Sequence, residues 1–166
     1  MRKIVFILFI MFTFLFFLNN SESILIPNNA IRIRIVANSD DIKDQKIKAE
    51  VKNKVNNYLF QKLDGINSYK EASRVIKSSI NDINKIVNDY TDNYVVTYGK
   101  NYFPKKEYRG TIYNEGDYES IQIKLGDAKG KNFWCVLFPP LCLIDEKNTN
   151  NVTYSLYVKE LLKKIK

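Results

Sequence analysis

The 166-residue sequence has no histidine. That absence removes the Ser-His-Asp and Cys-His arrangements of nucleophilic catalysis and every metal site that needs an imidazole. Cysteine is scarce: Cys135 and Cys142 are the only two, half of a tetrahedral zinc set, so no metal site is expected. Glycine is scarce as well, at six residues. Its one cluster, Gly126-Asp127-Ala128-Lys129-Gly130, is too short and wrongly composed for a phosphate-binding loop and reads as a flexible turn. No cofactor and no catalytic residue are assigned.

What the chain has in excess is positive charge, +8 at pH 7. Removing Arg2, Lys3 and Glu22 with an N-terminal segment leaves the balance strongly positive, so the basic character belongs to the folded domain and suits an anionic partner surface. The lysines are scattered among asparagines without an arginine-rich block, which reads as a solvated surface rather than a nucleic-acid patch. The length allows one domain with a real core.

Arg2-Lys3 precedes an apolar run over residues 4–18, and Asn19-Asn20-Ser21-Glu22-Ser23 offers small residues for cleavage. Residues 1–23 therefore read as an export signal peptide, with cleavage near Ser23 favoured over retention as a membrane anchor because the run is short of a spanning helix. Residues 24–145 form the domain. Residues 146–166 read as a polar linker and a short basic amphipathic helix, with Val158, Leu161, Leu162 and Ile165 beside Lys159, Lys163, Lys164 and Lys166. Docking of that helix on its own domain is preferred over peripheral membrane contact through residues 152–166.

Ile31, Ile33 and Ile35 alternate with Arg32 and Arg34, the period of a half-buried strand whose arginines read as an exposed charged face rather than a specific anion clamp. Asn38-Ser39-Asp40-Asp41 supplies N-cap candidates for a helix, and Asp40, Asp41 and Asp44 read as first-turn acids rather than a metal or acid/base site. The helix carries an apolar stripe of Ile47, Val51, Val55, Tyr58, Leu59 and Leu63, and Gly65 suits its left-handed cap. Ser68-Tyr69-Lys70-Glu71 reads as a capping box opening a second helix, with a stripe from Ala72 to Tyr90. Strands follow at residues 94–98 and 121–125. The expected fold is α+β: a small, mostly antiparallel sheet covered by an antiparallel helical hairpin, in a single domain after the signal segment.

Between those strands, residues 99–118 read as a long loop dense in tyrosine, of the kind that carries function or disorder. Tyr102, Phe103 and Pro104 stand out there, either for an interface that is apolar at its centre and wet at its edge or folded back over the core.

The most apolar stretch outside the N-terminus is Asn132-Phe133-Trp134-Cys135-Val136-Leu137-Phe138-Pro139-Pro140-Leu141-Cys142-Leu143, a segment of the kind buried on both faces. Pro139-Pro140 stops any continuous helix or central strand. On a helix the two cysteines would stand about 10 Å apart at Cα, too far for a disulfide, which tolerates about 4.4–6.8 Å. They either bond across a fold-back at the diproline or remain free, buried thiols.

The phrase from Gly130 to Cys142, Gly-Lys-Asn-Phe-Trp-Cys-Val-Leu-Phe-Pro-Pro-Leu-Cys, resembles the signature of the stage II sporulation protein R family. Ile31-Arg32-Ile33-Arg34-Ile35-Val36-Ala37-Asn38-Ser39-Asp40 is similar to that family's opening strand and helix start. Gly99-Lys100-Asn101-Tyr102-Phe103-Pro104 and Gly116-Asp117-Tyr118-Glu119-Ser120 are similar to its central hairpin. The resemblance covers roughly residues 31–145. It implies an exported intercellular signalling protein of endospore formation, not an enzyme. Such a protein is made in the forespore and exported across the cytoplasmic membrane into the space between the forespore and mother-cell membranes. Its implied partner is a membrane-embedded aspartic protease, which it activates to trigger processing of the sigma-E precursor in the mother cell.

Tyr102, Phe103, Pro104, Trp134, Phe138, Pro139 and Pro140 are the expected partner-binding residues, since aromatics and a rigid diproline contribute binding energy at low entropic cost. For the four in the clasp, core burial is the preferred reading. The alternative is a secreted enzyme acting on cell-wall polymer with paired carboxylates, Asp117 with Glu119 or Glu107 with Glu115.

Overall fold

The computed structural model describes residues 24, 25, 27, 29–108, 111–142, 160 and 163. The expected signal segment lies outside them, as does the expected tail over residues 146–166 except for its positions 160 and 163. In chain order the elements are β1 (Ile24–Leu25), β2 (Ile31–Val36), α1 (Ile42–Leu63), α2 (Tyr69–Ser78), α3 (Ile80–Asn88), β3 (Tyr94–Phe103), β4 (Lys106–Tyr108), β5 (Thr111–Tyr113), β6 (Gly116–Leu125) and β7 (Asn132–Phe138). Among the described residues no helix is long and apolar enough to cross a membrane.

The main sheet has four strands in the order β3-β6-β2-β7. β3 with β6 and β2 with β7 are antiparallel, while β2 with β6 is parallel. The fold is thus the α+β arrangement read from the sequence. Alternation in β2 sends Ile31, Ile33 and Ile35 to the helices, where they meet Val51, Val55 and Leu59 of α1 and Ile76, Ile83 and Val87 of α2 and α3 in one buried cluster. Each such aliphatic side chain contributes about 1.5–3 kcal/mol by leaving water.

Gly65, at φ +73°, makes the left-handed turn that ends α1, and the Ile66 N–H donates to the Leu63 carbonyl at 3.1 Å. The second helix of the hairpin is not continuous as expected. It breaks at Ser79, whose hydroxyl and N–H both donate to the Val75 carbonyl, at 2.8 and 3.1 Å. Such back-bonding by a serine competes with the helical ladder and separates α2 from α3. Ser68 does occupy the N-cap of α2, but its side chain makes no capping bond, so the expected capping box is not formed.

Residues 99–118 are not the long loop expected from sequence. β3 and β6 stay paired from Tyr94↔Leu125 out to Phe103↔Gly116. The residues between them fold into the β4/β5 hairpin, which with β1 makes a second sheet in the order β1-β5-β4.

The turn over residues 126–130 is pinned, not flexible. Asn38 holds it at two points: its Oδ1 accepts the Asp127 N–H at 2.8 Å and its carbonyl accepts the Lys129 N–H at 2.9 Å. Gly126 takes φ +56° to make that approach.

β7 is an edge strand, so it is not buried on both faces along its length. Asn132 is exposed, residues 133–135 are half-buried and Val136, Leu137 and Phe138 are buried.

Candidate functional site

Two arginines define the face of the sheet turned away from the helices. Arg34 donates from Nε to Asn132 Oδ1 at 2.7 Å and remains half-buried. Arg32, expected on an exposed charged face, is only 3% exposed. Its guanidinium carbon stands 4.1 Å from the ring centroid of Phe103, 5.0 Å from that of Tyr118 and 5.7 Å from that of Tyr113. Those rings come from the ends of β3 and β6 and from β5, so the second sheet closes over an arginine that sequence alone leaves in water. Burial pushes the Arg32 pKa down while the two tyrosines oppose the shift, and a guanidinium stays charged throughout. Attraction to the ring faces offsets part of the cost of burying the cation.

Trp134 lies directly across from Arg34 in the β2/β7 register. The Arg34 guanidinium carbon is 5.8 Å from its ring centroid and the Lys106 ammonium 5.4 Å. Phe103 meets Trp134 nearly edge-on, with centroids 6.1 Å apart at 71°. Arg32, Lys106, Tyr108, Tyr113, Trp134 and Leu141 help to line a cleft of about 200 Å³ at this point.

Cys135, which also lines the cleft, is joined to Cys142 as a disulfide with their Cα atoms 5.7 Å apart. The fold-back runs through a cis Phe138–Pro139 peptide. Phe138 is 2% exposed, Pro139 is buried and Pro140 is half-buried.

Of the expected contact residues near the hairpin, Tyr102 is 60% exposed and Pro104 is exposed, while Phe103 is 1% exposed and belongs to the packing around Arg32. The Tyr102 hydroxyl donates to Glu115 Oε2 at 3.3 Å, and the Glu115 charge, then burial, push the Tyr102 pKa up. Strand alternation sends Tyr102 and Phe103 to opposite faces. Since Phe103 touches Trp134, Tyr102 lies on the other side of the sheet and does not share one patch with it.

Of the carboxylates of the enzyme alternative, Glu115 and Glu119 serve as hydrogen-bond acceptors. Glu119 Oε2 accepts the Ser73 hydroxyl at 2.7 Å and the Tyr98 hydroxyl at 2.7 Å, tying α2 to β6. Burial raises the Glu119 pKa, but hydrogen bonds from Ser73, Tyr98 and Tyr69, with the nearby Lys100 charge, together outweigh it and hold the group below the ordinary glutamate range. It is therefore an ionised acceptor, unsuited to donate a proton near neutrality. Its charge, after burial, helps to push the Tyr69 phenol up to about 12. Asp44 accepts from Asn38 Nδ2 and Ser39 Oγ, each at 2.7 Å, and Asp40 accepts the Lys131 N–H at 2.7 Å. These first-turn acids anchor turns. Among the described residues no group of three or more His, Cys, Asp or Glu is placed to hold a metal ion.

Sequence reasoning missed the Arg32 cage, Lys106 and the Glu119 cluster. The usable signal was that Phe103, Tyr118 and Trp134 fall at positions facing away from the helices, which makes that face apolar enough to be covered.

Residues 27–148 match the family described as stage II sporulation protein R. A curated relative, the stage II sporulation protein R of Bacillus subtilis (strain 168), is 39% identical over 136 residues, which cover 78% of this chain. The aligned part spans 61% of the length of that relative. No solved structure matches.

Proposed function

The chain belongs to the stage II sporulation protein R family, and from that premise we propose that it is an exported intercellular signal of endospore formation. On this reading it crosses the cytoplasmic membrane into the space between the forespore and mother-cell membranes. There it activates a membrane-embedded aspartic protease, which processes the sigma-E precursor in the mother cell. The protein acts as a ligand and not as an enzyme.

The observation that carries the proposal is the family match over residues 27–148, which includes both the aromatic hairpin and the disulfide clasp. The physical mechanism is differential binding: contacts made to the active arrangement of the protease and not to the inactive one shift the population toward activity. Tyr102 and Pro104 at the hairpin and Trp134 and Pro140 at the clasp supply two separate contact surfaces, being exposed or half-buried. Phe103, Phe138 and Pro139 are withdrawn from the surface and hold those neighbours in place.

The test is co-sedimentation of the full chain with uncharged vesicles that carry the protease. Binding to these vesicles and not to empty ones supports the reading, and equal binding to both contradicts it.

A further inference from the structure

Arg32 Nε and Trp134 Nε1 are both buried donors that meet no hydrogen-bond partner among the described residues. The Arg32 guanidinium lies over the Phe103 and Tyr118 rings, but a ring face does not accept an N–H bond as an oxygen does. No hydrogen bond or ion pair joins Arg32 to any described residue, and a buried cation in that position is costly unless an anion answers it. Both residues line the same cleft, together with Lys106, and no acidic residue is among the described residues that line it.

We infer that this cleft is a binding site for a carboxylate, carried on an acidic side chain of a protein partner. A carboxylate is acceptor-only, with two oxygens that match the paired donors of a guanidinium edge. The cleft, at about 200 Å³, is smaller than the 300–1,000 Å³ or so of sites for cofactors and drug-sized ligands. It has room for one side chain. Tyr108, Phe133 and Trp134 on its walls suit the aliphatic or aromatic surroundings of a carboxylate presented by a folded protein. The identification of the partner as the receptor protease rests on the function proposed above; the carboxylate site itself does not.

Trp134 is the only tryptophan in the chain, so its emission reports on the cleft directly. The full chain in non-ionic detergent is titrated with phenylacetate, with the uncharged isostere phenylacetamide and with inorganic phosphate. Phenylacetate is expected to give a saturable change with a Kd of about 1–10 mM, the range for a ligand the size of one side chain. Phenylacetamide is expected to bind at least about tenfold more weakly, because it leaves the charge unanswered. Lys106→Gln is expected to weaken phenylacetate binding several-fold and Lys106→Glu to abolish it; both change an exposed residue, so they keep the test valid if Arg32→Lys fails to fold. Equal responses to the acid and the amide, no saturable response, or a response to phosphate alone each overturn the carboxylate site.

The partner is tested by competition on the protease vesicles. Displacement of the chain by phenylacetate supports the acidic side chain as occupant. Phenylacetate bound in the cleft without displacement overturns that occupant. Should the chain not bind the vesicles at all, the proposed function fails, and the partner assignment with it, while the titration still decides the carboxylate site.

Discussion

The guanidinium carbon of Arg32 stands 4.1 Å from the centroid of the Phe103 ring. This contact joins an internal strand of the main sheet to the place where β3 gives way to the small hairpin. Phe103 in turn meets Tyr118 at 6.0 Å and Trp134 at 6.1 Å, so one ring links the charged strand, the hairpin and the disulfide-bonded edge. The exposed Tyr102 and Pro104 flank it and inherit their positions from it.

Replacing Phe103 with Ala should destabilise the protein by about 3–5 kcal/mol, the cost of deleting a buried aromatic ring. Tyr102→Ala, at an exposed position next to it, should stay within about 0.5 kcal/mol of the parent. Urea denaturation of both variants checks the contrast; similar losses at the two positions would contradict the burial described.

Glu119 should make stability depend on pH with a definite sign. Its folded pKa lies below the ordinary value of 4.5, so its contribution is present above that value and is lost as pH falls through the folded pKa. Glu119→Gln removes the charge-assisted bonds from Ser73 and Tyr98 and should cost about 1–2 kcal/mol at pH 7. The deficit should shrink toward pH 3, as seen by denaturation at both pH values. A deficit that does not change with pH would refute the role.

The disulfide closes a short loop, with Cys135 and Cys142 seven residues apart. Chain-entropy reasoning gives such a loop about 2–3 kcal/mol. Denaturation with and without reductant should show that difference, and the Cys135→Ser, Cys142→Ser double variant should match the reduced protein and no longer respond to reductant.

Gly130 packs against the turn that leads from β2 into α1. A Cβ there would run into the Ser39 carbonyl oxygen and stand 3.0 Å from Ala37 Cβ. Since backbone cannot move aside cheaply, Gly130→Ala should cost about 1–3 kcal/mol. Gly99→Ala, where a Cβ meets nothing within 4 Å, serves as the control and should change stability by no more than about 0.5 kcal/mol.

Much of this fold was legible because its signals are local. The period of two in Ile31-Arg32-Ile33-Arg34-Ile35 and the three- and four-residue steps of Val51, Val55 and Leu59 name their own elements. Gly65 marks the turn between the helices. What escaped depends on distant chain segments meeting. Arg32 is buried because Phe103, Tyr113 and Tyr118, 71 or more residues away along the numbering, close over it. The β4/β5 hairpin escaped because its strands are three residues each, too short to display a period. The rigidity of the turn at residues 126–130 comes from Asn38, on the far side of the helical hairpin in sequence. In the candidate site, the exposure of Tyr102 could not be told from the burial of its neighbour Phe103 by composition, only by the pairing of β3 with β6.

The most direct test of the signalling account is reconstitution. The full chain is added to membranes that hold the candidate aspartic protease and its sigma-E precursor, and shortening of the precursor is followed with time. The account predicts processing that requires the added chain and falls when Tyr102 and Pro104 are both replaced by Ala in a protein of unchanged thermal stability. A protease that works when otherwise activated, yet leaves the precursor intact in the presence of the folded chain, would contradict it.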